Sequence, residues 1–266
     1  DNIDTALSRF EAARRLSPTN RRVLLSLALV HRYAGRSEAA ERYIRLALQH
    51  HPDSPLVHLL AAEHYLDQRR LEDAATEADT ALSFRPENED ALMLRARIAY
   101  LRSNYEDAAQ RAAEVIGVNR DNGPAWYVRA AALERLGRIE DTIETLRLGL
   151  RANEDDEFLR IFAEQVFREE TAADDELRSE YASYHFDRGE SFREENLFSR
   201  ARVAYRRGLR LAPYAREGRI GYAQLFELAG VSAKYLQELE VLASFEETDQ
   251  FLSDRIESYE SALQGS

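Results

Sequence analysis

The chain has 266 residues, no cysteine, 11 Gly and 6 Pro, and its 36 Lys and Arg against 48 Asp and Glu leave a net charge of -12. The absence of thiols excludes disulfide frameworks, thiolate zinc sites and cysteine nucleophiles, and the acidic balance, with its positive charges scattered among carboxylates, argues against nucleic acid as a partner. No stretch reaches the roughly 18 to 20 apolar residues of a bilayer span and the first residues do not resemble a signal peptide, so direct membrane insertion is not expected and the chain reads as soluble, in a bacterial cytoplasm or periplasm. The bacterial source is read from Lys234, the only lysine among the basic residues, a skew that points to GC-rich coding. Asp1 in place of a methionine leaves room for an upstream targeting segment or domain.

Few turn formers and abundant Ala, Leu, Arg and Glu predict helices throughout and no strand. Residues 1–20 read as the second helix of a pair whose first is missing, with Ala6, Phe10 and Ala13 followed by Pro18. From there a period governs the chain. Ala6, Ala40, Ala74, Ala108 and Thr142 recur at one constant interval, and Ala28, Ala62, Ala96 and Ala130 recur at the same one. Small residues on this period let paired helices approach to roughly 8–10 Å between axes. Gly35 and Gly137 fall where a first helix ends, a place that favours a left-handed residue. Pro18, Pro52 and Pro86 stop the second helices. Asn20, Ser54, Asn88, Asn122 and Asp156 close successive units, each able to cap the next helix, and Pro55 then stands at a first helical position, where its missing N–H costs nothing.

These residues resemble the tetratricopeptide repeat pattern, W-x2-L-G-x2-Y, then A-x3-F, then P, on a helix-turn-helix unit of about 34 residues. Complete units are read at 21–54, 55–88, 89–122 and 123–156, the last carrying the signature most fully through Trp126, Ala130, Leu133, Gly137 and Leu146. Arg120 and Glu154 replace the expected proline, and Thr142 replaces Ala. The resemblance implies an all-α, right-handed superhelical solenoid.

After residue 156 the register slips. The steps from Ala130 to Gly189 and from Thr142 to Ala201 both fall short of two regular repeats, by roughly nine residues. The irregular unit at 157–181 is therefore too short for two full helices. One helix is expected from Glu157 to about Glu170, with a discontinuity near 168–175. Thr171 and Asp174 read as a capping box opening a helix through Tyr181, Phe186 and Phe192. Repeat-like units follow across 182–248, first with Gly189, Phe192, Ala201, Tyr205, Gly208 and Pro213, then more weakly with Tyr222, Ala223, Phe226, Gly230 and Tyr235. In the closing segment, 249–266, Leu252, Ile256, Tyr259 and Leu263 share one helix face. That helix reads either as the cap a solenoid end needs or as a partner-binding helix.

The sequence offers no arrangement of residues with the spacing of a catalytic or metal site. His58 and His64 are six apart and share no helix face, whereas a zinc-protease pair needs a spacing of four; with His31 and His185 they read as packed residues. Asp155-Asp156 and Asp174-Asp175 lie at helix starts, where exposed N–H groups favour negative charge. No catalytic residue, metal or cofactor is expected, and the chain reads as a non-enzyme.

What the resemblance implies instead is a protein-interaction scaffold, since repeat arrays offer a long concave surface. In the family the second, fifth, ninth and twelfth places of each unit look into that groove. The fifth places here are Leu25, Leu59, Met93, Tyr127, Ile161, Phe186 and Ile220. Such a row suits an amphipathic or apolar helix of a partner protein or peptide, unless part of it is core. Leu25 with Leu29, and Leu59 with Glu63, stand where a clamp for acidic chaperone tails would carry lysine and asparagine, so that function is not expected. A bacterial envelope, secretion or motility assembly is the expected setting; the competing reading is an architectural spacer or self-associating protein whose own helix fills the groove.

Overall fold

A computed structural model describes residues 2–245 and 250–264. Fifteen α-helices and no strand occur among the described residues. Helix α1 (Asn2–Leu16) precedes four antiparallel pairs, α2 (Arg21–Tyr33) with α3 (Ser37–His50), α4 (Pro55–Asp67) with α5 (Leu71–Phe84), α6 (Glu89–Leu101) with α7 (Tyr105–Val118), and α8 (Gly123–Arg135) with α9 (Ile139–Ala152). Helix α10 (Glu157–Glu170) has no second helix of its own. Two further pairs follow, α11 (Glu176–Glu194) with α12 (Phe198–Leu211) and α13 (Arg216–Leu228) with α14 (Ser232–Ala243), and then α15 (Gln250–Gln264). Packing divides the chain into two compact units, residues 1–159 and 160–266. The division falls inside α10, upstream of the turn at 171–175.

In unit 1 the repeat is visible in backbone angles. Gly35, Arg69, Ser103 and Gly137, each one repeat length after the last, have φ of +70°, +60°, +60° and +69° in the tight turn that joins a pair. In unit 2 Asn196 and Gly230 do the same at +60° and +70°. A left-handed residue turns the chain back on itself, and a side chain there is strained against the next carbonyl. Ser103→Gly is therefore expected to stabilise the protein by about 0.5–1 kcal/mol, read from the midpoint of urea unfolding; an unchanged or lower midpoint would contradict this.

The small residues do what their period requires. Ala28, Ala40, Ala62, Ala74, Ala96, Ala108 and Ala130 are all fully buried, and in the first repeats Leu24, Leu27, Tyr43, Ile44 and Val57 pack in one core with Ala28, Ala62 and Ala74. Asn20, Asn88 and Asn122 cap α2, α6 and α8 through side-chain oxygens that accept the N–H groups of Val23, Ala91 and Ala125, and Asp156 caps α10, accepting from the Leu159 N–H at 3.0 Å. Ser54 departs from the expectation. Its hydroxyl accepts from Arg21 at 3.3 Å instead, and it makes no cap hydrogen bond to α4, whose Pro55 at the start removes one of the N–H groups needing a partner.

The fourth place of three first helices, α4, α8 and α13, reveals a second use of the repeat. His58 sets Nε2 2.8 Å from the Pro52 carbonyl oxygen and Nδ1 2.6 Å from the Glu77 carboxylate. Trp126, 3 % exposed, donates Nε1–H to the Arg120 carbonyl at 2.8 Å. In unit 2 Arg219 occupies the same place and donates to the Pro213 carbonyl at 3.0 Å and to Glu238 at 2.7 Å. Each side chain ties a helix to the carbonyl six residues earlier, satisfying an acceptor left over where the preceding helix ends.

His64 lacks such partners. It is 1 % exposed and neither ring nitrogen has a hydrogen-bond partner, so burial pushes its pKa below the ordinary imidazole value of 6.5. Above that value the ring is neutral folded and unfolded, and it contributes no pH dependence. Below it the unfolded chain takes a proton that the folded chain refuses, so stability is lost as pH falls towards the folded pKa. His64→Leu is expected to flatten the decline in melting temperature between about pH 6.5 and 5; an unchanged decline would show that other groups cause it.

Unit 2 solves a different problem, that of a first helix without a second. In the regular pairs the eighth place of the first helix is Ala or Gly, pressed against the second helix; α10 carries Glu164 there. Its carboxylate, 8 % exposed, lies 2.6 Å from Nε2 of His185 on α11 and accepts from Nε of Arg207 on α12 at 2.8 Å. Burial alone would raise the Glu164 pKa, but His185 and Arg207 outweigh it and hold the carboxyl below its usual range. The expected capping box at Thr171 is corrected. Asp175 caps α11, accepting from Leu177 at 2.8 Å, whereas Thr171 belongs to the end of α10 and donates its hydroxyl to the Phe167 carbonyl at 2.7 Å. Arg178, 7 % exposed, then gathers loose helix ends. It donates to the carbonyls of Leu211 at 2.6 Å, Arg210 at 3.3 Å and Thr171 at 3.3 Å.

At the far end of unit 2, Leu252 on α15 is 1 % exposed and packs with Tyr235, Leu239 and Leu242 of α14, Ile256 and Tyr259 lying partly buried beside it. Tyr259 donates to Glu227 at 2.6 Å. The side chain of Leu263 lies outside the described residues.

Candidate interaction groove

Along the first helices of unit 1 runs a groove in two adjoining parts. One, about 530 Å3, is lined by Leu66, Asp67, Arg69, Arg97, Tyr100, Leu101, Tyr127, Val128 and Ala131. The other, about 270 Å3, shares Leu66, Asp67 and Arg97 and adds Arg32, Glu63, Asp90, Met93 and Leu94. Its floor is apolar and its rim is charged. Arg32 crosses from α2 to α4, donating to Glu63 at 2.5 Å and to Asp67 at 2.7 Å; burial works against its charge, but the two carboxylates prevail and raise its pKa. Arg69 and Arg97 are exposed and in no ion pair among the described residues. Helix geometry produces this lining, since places five, nine and twelve of a first helix share one face.

The seven apolar side chains expected to line the groove do not share one fate. Tyr127 is 43 % exposed at the groove floor and Met93 lines the adjoining part half-buried. Leu25 and Leu59 are corrected: at 7 and 8 % exposure they belong to the unit 1 core, because neighbouring helices close over them. In unit 2 Ile161 is exposed beside α12, and Ile220 packs beneath α14 and α15 in the terminal cluster. Phe186 is a second kind of correction. Its ring fills the space left by Gly208 and Gly218, where any Cβ would overlap it, and stacks 6.4 Å from Tyr205. It is a packed residue.

Leu66, Arg97, Tyr100 and Ala131 are not among the expected site residues. Each occupies a ninth or twelfth place, so the family's full set of groove places identifies them while the fifth place alone does not. Among the described residues, no group of three or more His, Asp and Glu side chains is arranged to hold a metal ion, and no helix is long and apolar enough to cross a membrane.

The helix pairs, their fixed period and the groove along the first helices define an all-α repeat solenoid of the protein-binding class. Two family models described as tetratricopeptide repeat match the sequence, one over residues 31–98 and the other over residues 1–55 and 102–157. The chain belongs to the tetratricopeptide repeat family. Solved structures share the fold. A tetratricopeptide repeat protein from Parabacteroides merdae is 15% identical with a TM-score of 0.57, covering 97% of this chain and 92% of that one. MamA is 14% identical with a TM-score of 0.53, covering 56% and 88%. Pseudomonas aeruginosa pilF is 15% identical with a TM-score of 0.51, covering 91% and 97%. No curated protein matches the sequence. Proteins of this family mediate protein–protein interactions, binding protein or peptide partners, and are typically non-enzymatic scaffolds.

Proposed function

We propose that the chain is a scaffold whose unit 1 groove holds an amphipathic or apolar helical segment of a partner protein. In this reading residues 1–156 form the regular binding array, 157–181 a shortened unit, 182–248 a second set of repeats and 249–266 a capping helix and tail. The observation that carries the proposal is Tyr127, an aromatic ring 43 % exposed on an apolar floor with Leu66, Tyr100, Leu101 and Val128. Aromatic rings that stay partly wet when free and are covered on binding concentrate interface energy. Arg69 and Arg97 at the rim favour carboxylates flanking the apolar face of the segment.

Site-specific photo-crosslinking tests this. A benzophenone side chain at Tyr127 or Arg97 is expected to capture one discrete partner in the native cell, while the same group at exposed Gln110 on α7 captures none. Capture from Gln110 alone would place the binding face on the second helices and overturn the proposal.

A further inference from the structure

A second surface lies wholly within unit 2. Between α10 and α12 is a groove of about 510 Å3, lined by Ile161, Gln165, Arg168, Glu169, Val203, Arg210 and Leu211, with Glu164 and Arg207 paired to each other within it. Two of its apolar members are uncovered, Ile161 at 51 % and Val203 at 66 % exposure. The charge on the α12 wall is one-sided, and Glu169 is the one lining carboxylate not paired with Arg207. Helix α12 carries Arg200, Arg202, Arg206, Arg207 and Arg210 and no acidic residue, in a chain whose net charge is -12. Arg210 lines the groove seven places beyond Val203, on the same face of the helix, and Arg168 faces it from α10, while Arg206, three places beyond Val203, stands outside the lining towards Tyr222. All three are exposed, and none is in an ion pair among the described residues. The arginines of unit 1 contrast with these: Arg32, Arg70, Arg102 and Arg138 each hold a carboxylate of a neighbouring repeat.

Missing repeat structure explains why the surface is open. A regular first helix is followed by a second that packs on it, whereas α10 is followed by a short turn and the next first helix, with the Glu164, His185 and Arg207 cluster as its link to α11 and α12. We propose that the α10–α12 groove is a second docking site, taking an acidic amphipathic helix from a partner protein. The helix sets its apolar side chains on Ile161 and Val203 and its carboxylates against Arg168 and Arg210, away from Glu169. Apolar contact sets the depth of the helix and unpaired guanidinium groups set its sign. A basic helix is repelled.

The test uses the whole chain and a labelled, helix-stapled 16-residue peptide with leucines on one face flanked by glutamates. Saturable binding that weakens at higher salt is expected. Arg210→Glu, and separately Val203→Asp, should each weaken it tenfold or more without lowering the melting temperature, since both side chains are exposed. Arg168→Glu, on the other helix, should weaken it similarly. Because the unit 1 groove takes a helix of similar chemistry in the reading above, each titration is repeated in a chain carrying Tyr127→Ala and Arg97→Glu, where the binding that depends on Val203 should persist and so separate this site from that groove. Absence of saturable binding overturns the proposal, as does equal binding of the peptide with lysine in place of glutamate. So does a single-stranded oligonucleotide that binds as tightly and ignores Val203→Asp, because the surface would then be a general polyanion site.

Discussion

Replacing Arg178 by Ala is expected to destabilise unit 2 by about 3–5 kcal/mol, the cost of removing one side of a buried charged hydrogen-bond network. Its guanidinium is the shared donor for carbonyls ending α10 and α12, and its loss would leave the buried Leu211 carbonyl without that donor and weaken the two partly buried ones. Hydrogen exchange should show the loss as faster exchange in α11 and α12, with residues 21–156 unaffected. Arg178→Lys supplies the charge but not the fork of donors, so it should recover less than half of the loss. Full stability in Arg178→Ala would mean that water satisfies those carbonyls and that the arginine is incidental.

Phe186→Ala is expected to cost about 3 kcal/mol, because the ring fills the space opposite Gly208 and Gly218 and its removal leaves a cavity that two glycines cannot fill. The compensating pair Phe186→Leu with Gly208→Ala restores volume from the other side and should regain part of the loss. Thermal unfolding reads both. Should Phe186→Ala melt like the parent chain, the ring is a surface residue and belongs to a binding face after all.

That pair of outcomes marks how far residue patterns reach in this protein. The pairs, their turns and their period follow from local chemistry: alanines at the repeat interval, caps at Asn20, Asn88 and Asn122, and left-handed turns at Gly35 and Gly137. Arg69, Ser103 and Asn196 occupy the same turns without being glycine, so only the period predicts them. The groove is less legible because one place in a helix can face a cavity or a neighbour. Leu59 and Tyr127 hold the same place, yet Leu59 is covered and Tyr127 is open, the difference lying in the packing of adjacent helices. The device that replaces a missing helix is not visible in the sequence at all. Glu164, His185 and Arg207 stand far apart along the chain and meet, and Arg178 reaches the ends of α10 and α12, only once α10, α11 and α12 have folded.

If the open face of unit 1 binds a partner while the adjacent side chains hold the fold, substitutions at the neighbouring Tyr127 and Trp126 have opposite effects. The partner captured through Tyr127 would be purified and titrated against Tyr127→Ala and Trp126→Ala chains, with melting temperature measured in parallel. Tyr127→Ala should weaken binding by about 2 kcal/mol, roughly thirtyfold, and change the melting temperature little. Trp126→Ala, which removes a ring 3 % exposed and its hydrogen bond to Arg120, should lower the melting temperature markedly, by a loss of about 3–5 kcal/mol. If Tyr127→Ala instead destabilises the fold as much as Trp126→Ala and leaves affinity intact, the apolar floor is core and the partner is held elsewhere.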